Sequence, residues 1–449
     1  MRKLFGTDGI RGRSNIFPMT AETALKLGQA IATVLRKHYN KKITAVIGKD
    51  TRRSCYIFEY ALTSGLCPMG ADVYLVGPMP TPAISHLTKS FAADMGIVIS
   101  ASHNPATDNG IKLFDSQGFK LPDDVEEEIE NIMESGIDTS DINGTNVGKA
   151  MRIDDAAGRY IEFTKNSIKN MSLEGLKIVL DCANGAAYKV APMIFKELGA
   201  EVLVLNNKPD GLNINKDCGS LHPDVIRSAV LDNKADIGIA LDGDADRVIM
   251  VDEKGNNVDG DHLIAMCALD MKRRGKLKDN TVVVTVMTNI GFDIAMKQAG
   301  INVIKAKVGD RYVIDEMRKN RYSLGREQSG HIIFFNRSTT GDGTLSALQV
   351  LALIKDSGKP LSELAKCMKS YPQVLKNIRV KVKRPIEDMP LVSEEIISAE
   401  NRLGNDGRVL VRYSGTENLC RVMLEGKDQE EINALADKII ERVKEEIGE

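Results

Sequence analysis

The stretch Gly96-Ile97-Val98-Ile99-Ser100-Ala101-Ser102-His103-Asn104-Pro105 passes in one step from apolar to polar. Its first part carries apolar side chains on both faces, as a strand buried in a mixed or parallel sheet requires. Its second part is a polar loop closed by a proline, with a tight Asn109-Gly110 turn soon after. The same kind of apolar run recurs at residues 45–47, 73–76, 178–180, 202–205, 237–240 and 282–284. Between these runs lie amphipathic stretches such as residues 21–38, with Ala24, Leu27, Ile31, Val34 and Leu35 on one stripe. Strand and helix alternate, which predicts an α/β chain.

The pattern changes near residue 370. Ile378-Arg379-Val380-Lys381-Val382 alternates cleanly, as does the segment around Val409-Leu410-Val411. A closing helix then places Ile432, Leu435, Ala436, Ile439, Ile440, Val443 and Ile447 at helical spacing. Half-exposed strands with one or two helices predict a small α+β domain. The 449 residues alone suggest about three domains. The pattern places boundaries near 150, 253 and 370, giving segments 1–150, 151–252, 253–369 and 370–449. The acidic run at 123–130 reads as the solvated face of a helix.

Composition narrows the function. Lys+Arg total 60 and Asp+Glu 62, a formal charge of -2, which argues against a surface built to grip nucleic acid or another polyanion. There is no Trp and only 5% aromatic residue, so a sugar platform of tryptophan faces is excluded. Polar ligands must then be held by hydrogen bonds and charge. The cysteines at 55, 67, 182, 218, 267, 367 and 420 are scattered without a CxxC pair and read as reduced thiols. No apolar signal core follows Met1-Arg2-Lys3, and no run is long enough for a membrane span, so a cytoplasmic protein without membrane partners is expected.

Four polar loops follow strands or lie beside them, and ligands of open α/β sheets gather at the carboxyl ends of strands. They are residues 100–105, 242–247, 325–331 and 412–418, and together they suggest one shared site. Asp242, Asp244 and Asp246 repel one another unless a cation offsets them, and all-oxygen ligands select a hard ion such as Mg²⁺. The competing reading is a solvated acidic turn. An EF-hand fails because Arg247 stands where that loop needs Gly and residues 248–251 continue as a strand. Ser102 is either part of a serine-rich turn or a nucleophile and phosphate carrier, for which it needs a base or a metal. Arg412, Ser414, Gly415, Thr416 and Arg421 form a phosphate-sized donor set, or else a hairpin turn with a surface arginine. Glu327 and Ser329 suit sugar hydroxyls, unless Glu327 pairs with a lysine. His331 before an apolar strand has the look of a buried structural histidine. Gly6-Thr7-Asp8-Gly9-Ile10-Arg11-Gly12 is a plain turn or a means of bringing Arg11 beside a phosphate.

Taken together these segments resemble the α-D-phosphohexomutase superfamily, and most closely its amino-sugar branch. The resemblance rests on FGTDGIRG (5–12), GPMPTPA (77–83), ISASHNP (99–105), LDGDADR (241–247), VGDRYV (308–313), GREQSGH (325–331) and RYSGTEN (412–418), and runs from end to end. It implies three related α/β domains with mixed sheets plus a smaller C-terminal α+β domain, heart-shaped around a central cleft. In order these would carry the phosphoserine, metal, sugar-binding and phosphate-binding loops. It implies that Ser102 is phosphorylated and holds Mg²⁺ with Asp242, Asp244 and Asp246. Glu327 and Ser329 would bind sugar hydroxyls, and the 412–421 set would hold the non-reacting phosphate. Arg11, Lys112, Arg247 and His331, with His103 beside the serine, become candidates for charge stabilisation or proton transfer.

The implied reaction is reversible conversion of glucosamine 6-phosphate to glucosamine 1-phosphate through a 1,6-bisphosphate, with glucosamine or glucose 1,6-bisphosphate as activator. It would serve amino-sugar nucleotide and cell-wall precursor synthesis. A homodimer is compatible with the sequence. The rivals are the same chemistry on mannose or glucose phosphates, a metal-dependent sugar-phosphate phosphatase, and a sugar-phosphate-binding protein with a dead site. Two positions depart from the family pattern. Tyr413 and Asn418 replace prolines, which predicts a looser fourth loop. Ala245 stands where Gly is common, which predicts a metal loop without a positive φ there.

Overall fold

The alternation of apolar runs and helices resolves into four separate sheets in a computed structural model that describes residues 3–139, 144–327, 330–414 and 418–448. The first sheet comprises β1 (Ile10–Arg13), β2 (Thr44–Lys49), β3 (Asp72–Pro78), β4 (Met95–Ile99), β5 (Asp108–Asp115) and β6 (Ala150–Arg152). Their order is β1-β5-β4-β2-β3-β6. β2 runs parallel to β3 and β4, whereas β5 is antiparallel to both β1 and β4. Every residue of β4 is buried, which is why its sequence is apolar on both faces.

The second sheet holds β7 (Lys177–Asp181), β8 (Glu201–Leu205), β9 (Ile237–Leu241), β10 (Val248–Asp252) and β11 (Asn257–Val258), in the order β11-β10-β9-β7-β8. Here β9 and β10 form an antiparallel pair, so the acidic loop 242–247 is a hairpin connection and not a calcium loop between helices. The third sheet takes β12 (Thr281–Thr285), β13 (Asn302–Ala306), β14 (Leu324–Glu327) and β15 (His331–Phe334) in the order β13-β12-β14-β15. The fourth is antiparallel throughout: β16 (Gln373–Arg379), β17 (Arg408–Tyr413) and β18 (Leu419–Glu425), ordered β16-β18-β17.

The chain divides into two compact units, Met1–Val286 with Ile301–Lys366 and Met287–Gly300 with Cys367–Glu449. The first unit contains three mixed sheets and the second the small antiparallel one. In the second unit, the helix Gln429–Ile447 buries the seven apolar residues its spacing picked out, against the sheet core of Val380, Cys420, Val422 and Leu424. The strand expected over 378–382 begins earlier, at Gln373, and stops at Arg379; Val380 only bridges to Gly448.

The acidic run needs correction. The helix Asp123–Ser135 does form, but Glu126 and Glu130 are buried and not solvated. Glu130 accepts the backbone amides of Lys3, Leu4 and Phe5 at 2.6, 2.8 and 2.7 Å, giving the N-terminal segment acceptors it otherwise lacks. Glu126 accepts from Arg311 at 3.1 Å. All seven cysteines are free thiols. Among the described residues no helix is long and apolar enough to cross a membrane.

Candidate active site

The polar end of β4 and the β9–β10 hairpin meet inside the first unit. Ser102 is buried and sits at φ +52, in the left-handed region that costs a non-glycine residue roughly 1–2 kcal/mol. Its amide donates to Ser100 Oγ at 2.9 Å, and its Oγ donates to Asp242 Oδ2 at 2.6 Å. The loop is therefore twisted so that the serine hydroxyl points at the acidic hairpin.

The hairpin repeats the device. Ala245 lies at φ +58, contrary to the expectation that alanine there rules out a positive φ. A tight turn compensates the strain: the amide of Ala245 donates to the carbonyl of Asp242 at 3.0 Å, and its carbonyl accepts from Gly343 at 2.9 Å. Asp244 is fixed from the first sheet, accepting from Thr81 Oγ1 at 2.6 Å and from Lys112 Nζ at 2.8 Å. Lys112, on β5, is itself buried and lies 3.3 Å from Asp8 and 3.7 Å from Asp246. Arg11 pairs with Asp8, so the glycine-rich turn near the N-terminus delivers an ion pair to this cluster.

Burial lifts the Asp242 carboxyl well above the usual carboxylate range, and Asp246 and Asp244 add to that. Burial works the same way on Asp246, yet Lys112, His331 and Arg247 outweigh it and hold that group very low. Lys112 is disfavoured as a cation by burial but held charged by Asp244, Asp8 and Asp246. Asp242, beside the serine, is thus the carboxyl whose ionised form the protein's own cations compensate least.

This arrangement fits a metal ion. One oxygen from each of Asp242, Asp244 and Asp246 can be chosen so that all lie within 4.8 Å of one another. Asp244 Oδ1 and Asp246 Oδ1 are buried acceptors with no hydrogen-bond donor among the described residues. An all-oxygen donor set with unsatisfied negative charge suits a hard divalent cation.

The two histidines are constrained differently. Arg247 Nη1 donates to His103 Nδ1 at 3.1 Å, which leaves the ring proton on Nε2. Burial, then Arg247 and Arg11, push its pKa down to about 4, so this ring is neutral at pH 7. His331 is buried with Nδ1 3.5 Å from Asp246 and Nε2 3.6 Å from Asp310. The Gly341 amide donates to Nε2 at 3.1 Å, while burial is outweighed by Asp246, Asp310 and Glu327, which raise its pKa. Its buried position matches the structural reading, but its surroundings are carboxylates and not core side chains. Glu327 ends β14; burial and Asp310 raise its pKa against His331, Arg247 and Lys120. It makes no side-chain hydrogen bond among the described residues, so the lysine-pair alternative is not realised as a direct contact. Ser329 lies outside the described residues.

In the second unit, Arg412 on β17 and Arg421 on β18 are direct cross-strand partners. Like charges in this register are unfavourable unless an anion offsets them; burial, then Arg421, lowers the Arg412 pKa. The buried Ser414 follows, its carbonyl accepting from Lys383 Nζ at 2.8 Å. Tyr413, in place of a proline, is anchored by its hydroxyl to the Arg384 carbonyl at 2.6 Å. Gly415 and Thr416 lie outside the described residues.

Several polar residues of the cluster went unread in the sequence. Asp8 sat between two glycines while Arg11 was singled out. Thr81 and Asp310 belonged to quoted motifs but received no role; Asp310 pairs with Lys120 at 2.5 Å. The loop Lys49-Asp50-Thr51-Arg52-Arg53 follows an apolar run just as the other loops do, and that position was the available signal.

Comparison with known proteins agrees with this geometry. Phosphoglucomutase/phosphomannomutase α/β/α domains I, II and III match residues 2–139, 158–255 and 259–371, and the C-terminal domain of that family matches residues 375–442. The chain is 58% identical over 451 residues to a phosphoglucosamine mutase of Pelobacter propionicus, covering 100% of both. It is 57% identical over 450 residues to one from Geobacter metallireducens, again covering 100% of both. Among solved structures, a phosphoglucomutase/phosphomannomutase family protein of Burkholderia thailandensis shares the fold with TM-score 0.81 at 23% identity, over 99% of this chain and 98% of that one. An Aspergillus fumigatus N-acetylphosphoglucosamine mutase, solved with GlcNAc-6P and magnesium, shares it with TM-score 0.68 at 18% identity, over 99% and 96% of the two chains. The chain belongs to the phosphoglucomutase/phosphomannomutase family.

Proposed function

We propose that this chain interconverts glucosamine 6-phosphate and glucosamine 1-phosphate, with Ser102 as the phosphoryl carrier. The observation that carries this reading is the buried Ser102 hydroxyl, 2.6 Å from Asp242 within a cluster that also leaves two aspartate oxygens without donors. The full-length relatives named phosphoglucosamine mutase support the choice of sugar.

In the forward direction the Oγ–P bond of phosphorylated Ser102 breaks as a P–O bond forms to O1 of the sugar, and the proton of that hydroxyl leaves. The resulting 1,6-bisphosphate turns over, and its 6-phosphate returns to the Ser102 oxygen while O6 regains a proton. Asp242, Asp244 and Asp246, with Ser102, would hold Mg²⁺, which would supply Lewis acidity when bound. Arg11, Lys112 and Arg247 contribute fixed positive charge. His103, neutral with its proton on Nε2, and His331 are the proton-handling candidates. Glu327 and Ser329 bind sugar hydroxyls. In the second unit, Arg412, Ser414, Gly415, Thr416 and Arg421 grip a phosphate, and because either end of the sugar must be accepted, this set reads the phosphate and not a particular carbon.

The test is a coupled assay with Mg²⁺ and a catalytic amount of glucose 1,6-bisphosphate, comparing kcat/KM for glucosamine, mannose and glucose 6-phosphates. Glucosamine 6-phosphate should be preferred. A higher value for mannose or glucose 6-phosphate would move the assignment to that sugar, and release of inorganic phosphate without isomer formation would make the enzyme a phosphatase.

A further inference from the structure

The Ser102 loop is held from behind by a buried ion pair that none of the assigned roles uses. Arg52, in the loop after β2, is fully buried. Its Nε donates to Asp50 Oδ2 at 2.8 Å, and its Nη2 donates to the carbonyls of Ser102 at 2.9 Å and Asn104 at 3.0 Å. Its Nη1 donates to the carbonyl of Pro105. Asp50, also buried, accepts from Ser100 Oγ at 2.6 Å, and that same hydroxyl accepts the Ser102 amide at 2.9 Å. One ion pair therefore fixes both the amide and the carbonyl of Ser102. From the loop after β8, Asn215 Nδ2 donates to the Ser102 and Asn104 carbonyls at 2.8 and 3.0 Å. Gly243 closes the other side, where a Cβ would stand 2.6 Å from the Ser102 carbonyl oxygen.

We infer that Arg52, seated on Asp50 and assisted by Asn215, is a positioning residue for phosphoryl transfer. Two effects follow from the geometry. A serine at φ +52 keeps that conformation only if its surroundings impose it, and here the guanidinium fork imposes it by collecting the loop carbonyls of Ser102, Asn104 and Pro105. Those carbonyls also turn their negative ends toward the guanidinium, whose positive charge offsets them. Lysine cannot reproduce this, because it offers a point charge without a planar fork.

The inference rests on the phosphoserine reading, and the experiment separates the two. Arg52→Lys, Asn215→Ala and Ser102→Ala are made in the full-length enzyme. Bisphosphate-loaded Ser102 is counted by intact-mass spectrometry, and kcat is expressed per phosphorylated site. Arg52→Lys should lower kcat per site about 100-fold, as a misplacement near 1 Å does, with KM within about two-fold of wild type. Asn215→Ala should lower it about 10-fold. A merely structural role would reduce the melting temperature and the count of phosphorylatable sites while leaving kcat per site unchanged. If Arg52→Lys does not fold, Asn215→Ala decides on the same readout. Wild-type kcat per site in the folded variants, with Ser102→Ala inactive, overturns the positioning role alone. A Ser102→Ala enzyme that turns over normally overturns the phosphoserine reading itself.

Discussion

Two clusters in this chain handle charge in opposite ways. Around Ser102, carboxylates and cations are buried together and compensate one another: Lys112 with Asp244, Arg11 and Lys120 with Asp8, and His331 between Asp246 and Asp310. On the sheet of the second unit, two arginines stand side by side in one register, and burial with mutual repulsion lowers the pKa of Arg412. The first arrangement is closed around the Ser102 hydroxyl, with its unmet acceptors among the described residues at Asp244 Oδ1 and Asp246 Oδ1. The second sets two cations directly opposite each other, a register whose repulsion an anion would relieve. On the proposed function, the first cluster has its groups fixed before substrate arrives, while the paired arginines gain most from the phosphate itself.

The largest test removes the Ser102 hydroxyl. Ser102→Ala should lower mutase activity by more than roughly 10⁴-fold without altering the unfolding transition; substantial residual activity would reduce the first cluster to a structural salt-bridge network. Next comes a group at the edge of that cluster. Asp342 is buried, caps the amide of Leu345 at 2.9 Å and accepts the Tyr160 hydroxyl, and burial lifts its pKa to about 6. An acid with a folded pKa above its unfolded value contributes fully below the unfolded pKa, near ~3.9, and loses that contribution as pH rises through about 6. Relative to Asp342→Asn, which keeps the cap and the acceptor, the wild type should lose ~2 kcal/mol of stability in urea between pH 4 and pH 7. Parallel pH profiles for the two proteins would contradict the assignment.

On the other side of the comparison, Arg412→Ala and Arg421→Ala should each weaken substrate by about 1.5–3 kcal/mol, read mainly as a higher KM. A loss confined to kcat would show that this pair takes part in chemistry and not only in grip. The smallest expected effect concerns the hairpin turn. Ala245→Gly relieves the positive φ and should stabilise the protein by up to ~1 kcal/mol in thermal or urea unfolding, since glycine adopts that region freely. Destabilisation would mean that the turn is held by packing of the methyl group.

The class of fold was legible because β4, β9 and β12 are buried on both faces and so carry uninterrupted apolar residues. The small antiparallel sheet was legible from alternation, but not its edges, because β16 starts in the polar stretch at Gln373. Asp242, Asp244 and Asp246 could be found because like charges close in sequence demand a reason. Asp8, Lys120 and Asp310 could not, because each is unremarkable until strands far apart in the chain bring it beside an opposite charge. Glu126 and Glu130 misled for the same reason: their partners, Arg311 and the amides of residues 3–5, lie far away in sequence. Ala245 misled differently, since the local cost of a positive φ is outweighed by hydrogen bonds that only the folded hairpin supplies.

The central claim is that Ser102 carries a phosphoryl group in an aspartate-lined metal site. Intact-mass spectrometry with peptide mapping, after incubation with glucose 1,6-bisphosphate and Mg²⁺, tests it most directly. One phosphoryl group on Ser102 is predicted, lost on addition of glucosamine 6-phosphate and absent from an Asp244→Asn variant. A phosphoryl group on another residue, or none in the folded wild-type enzyme, would contradict it.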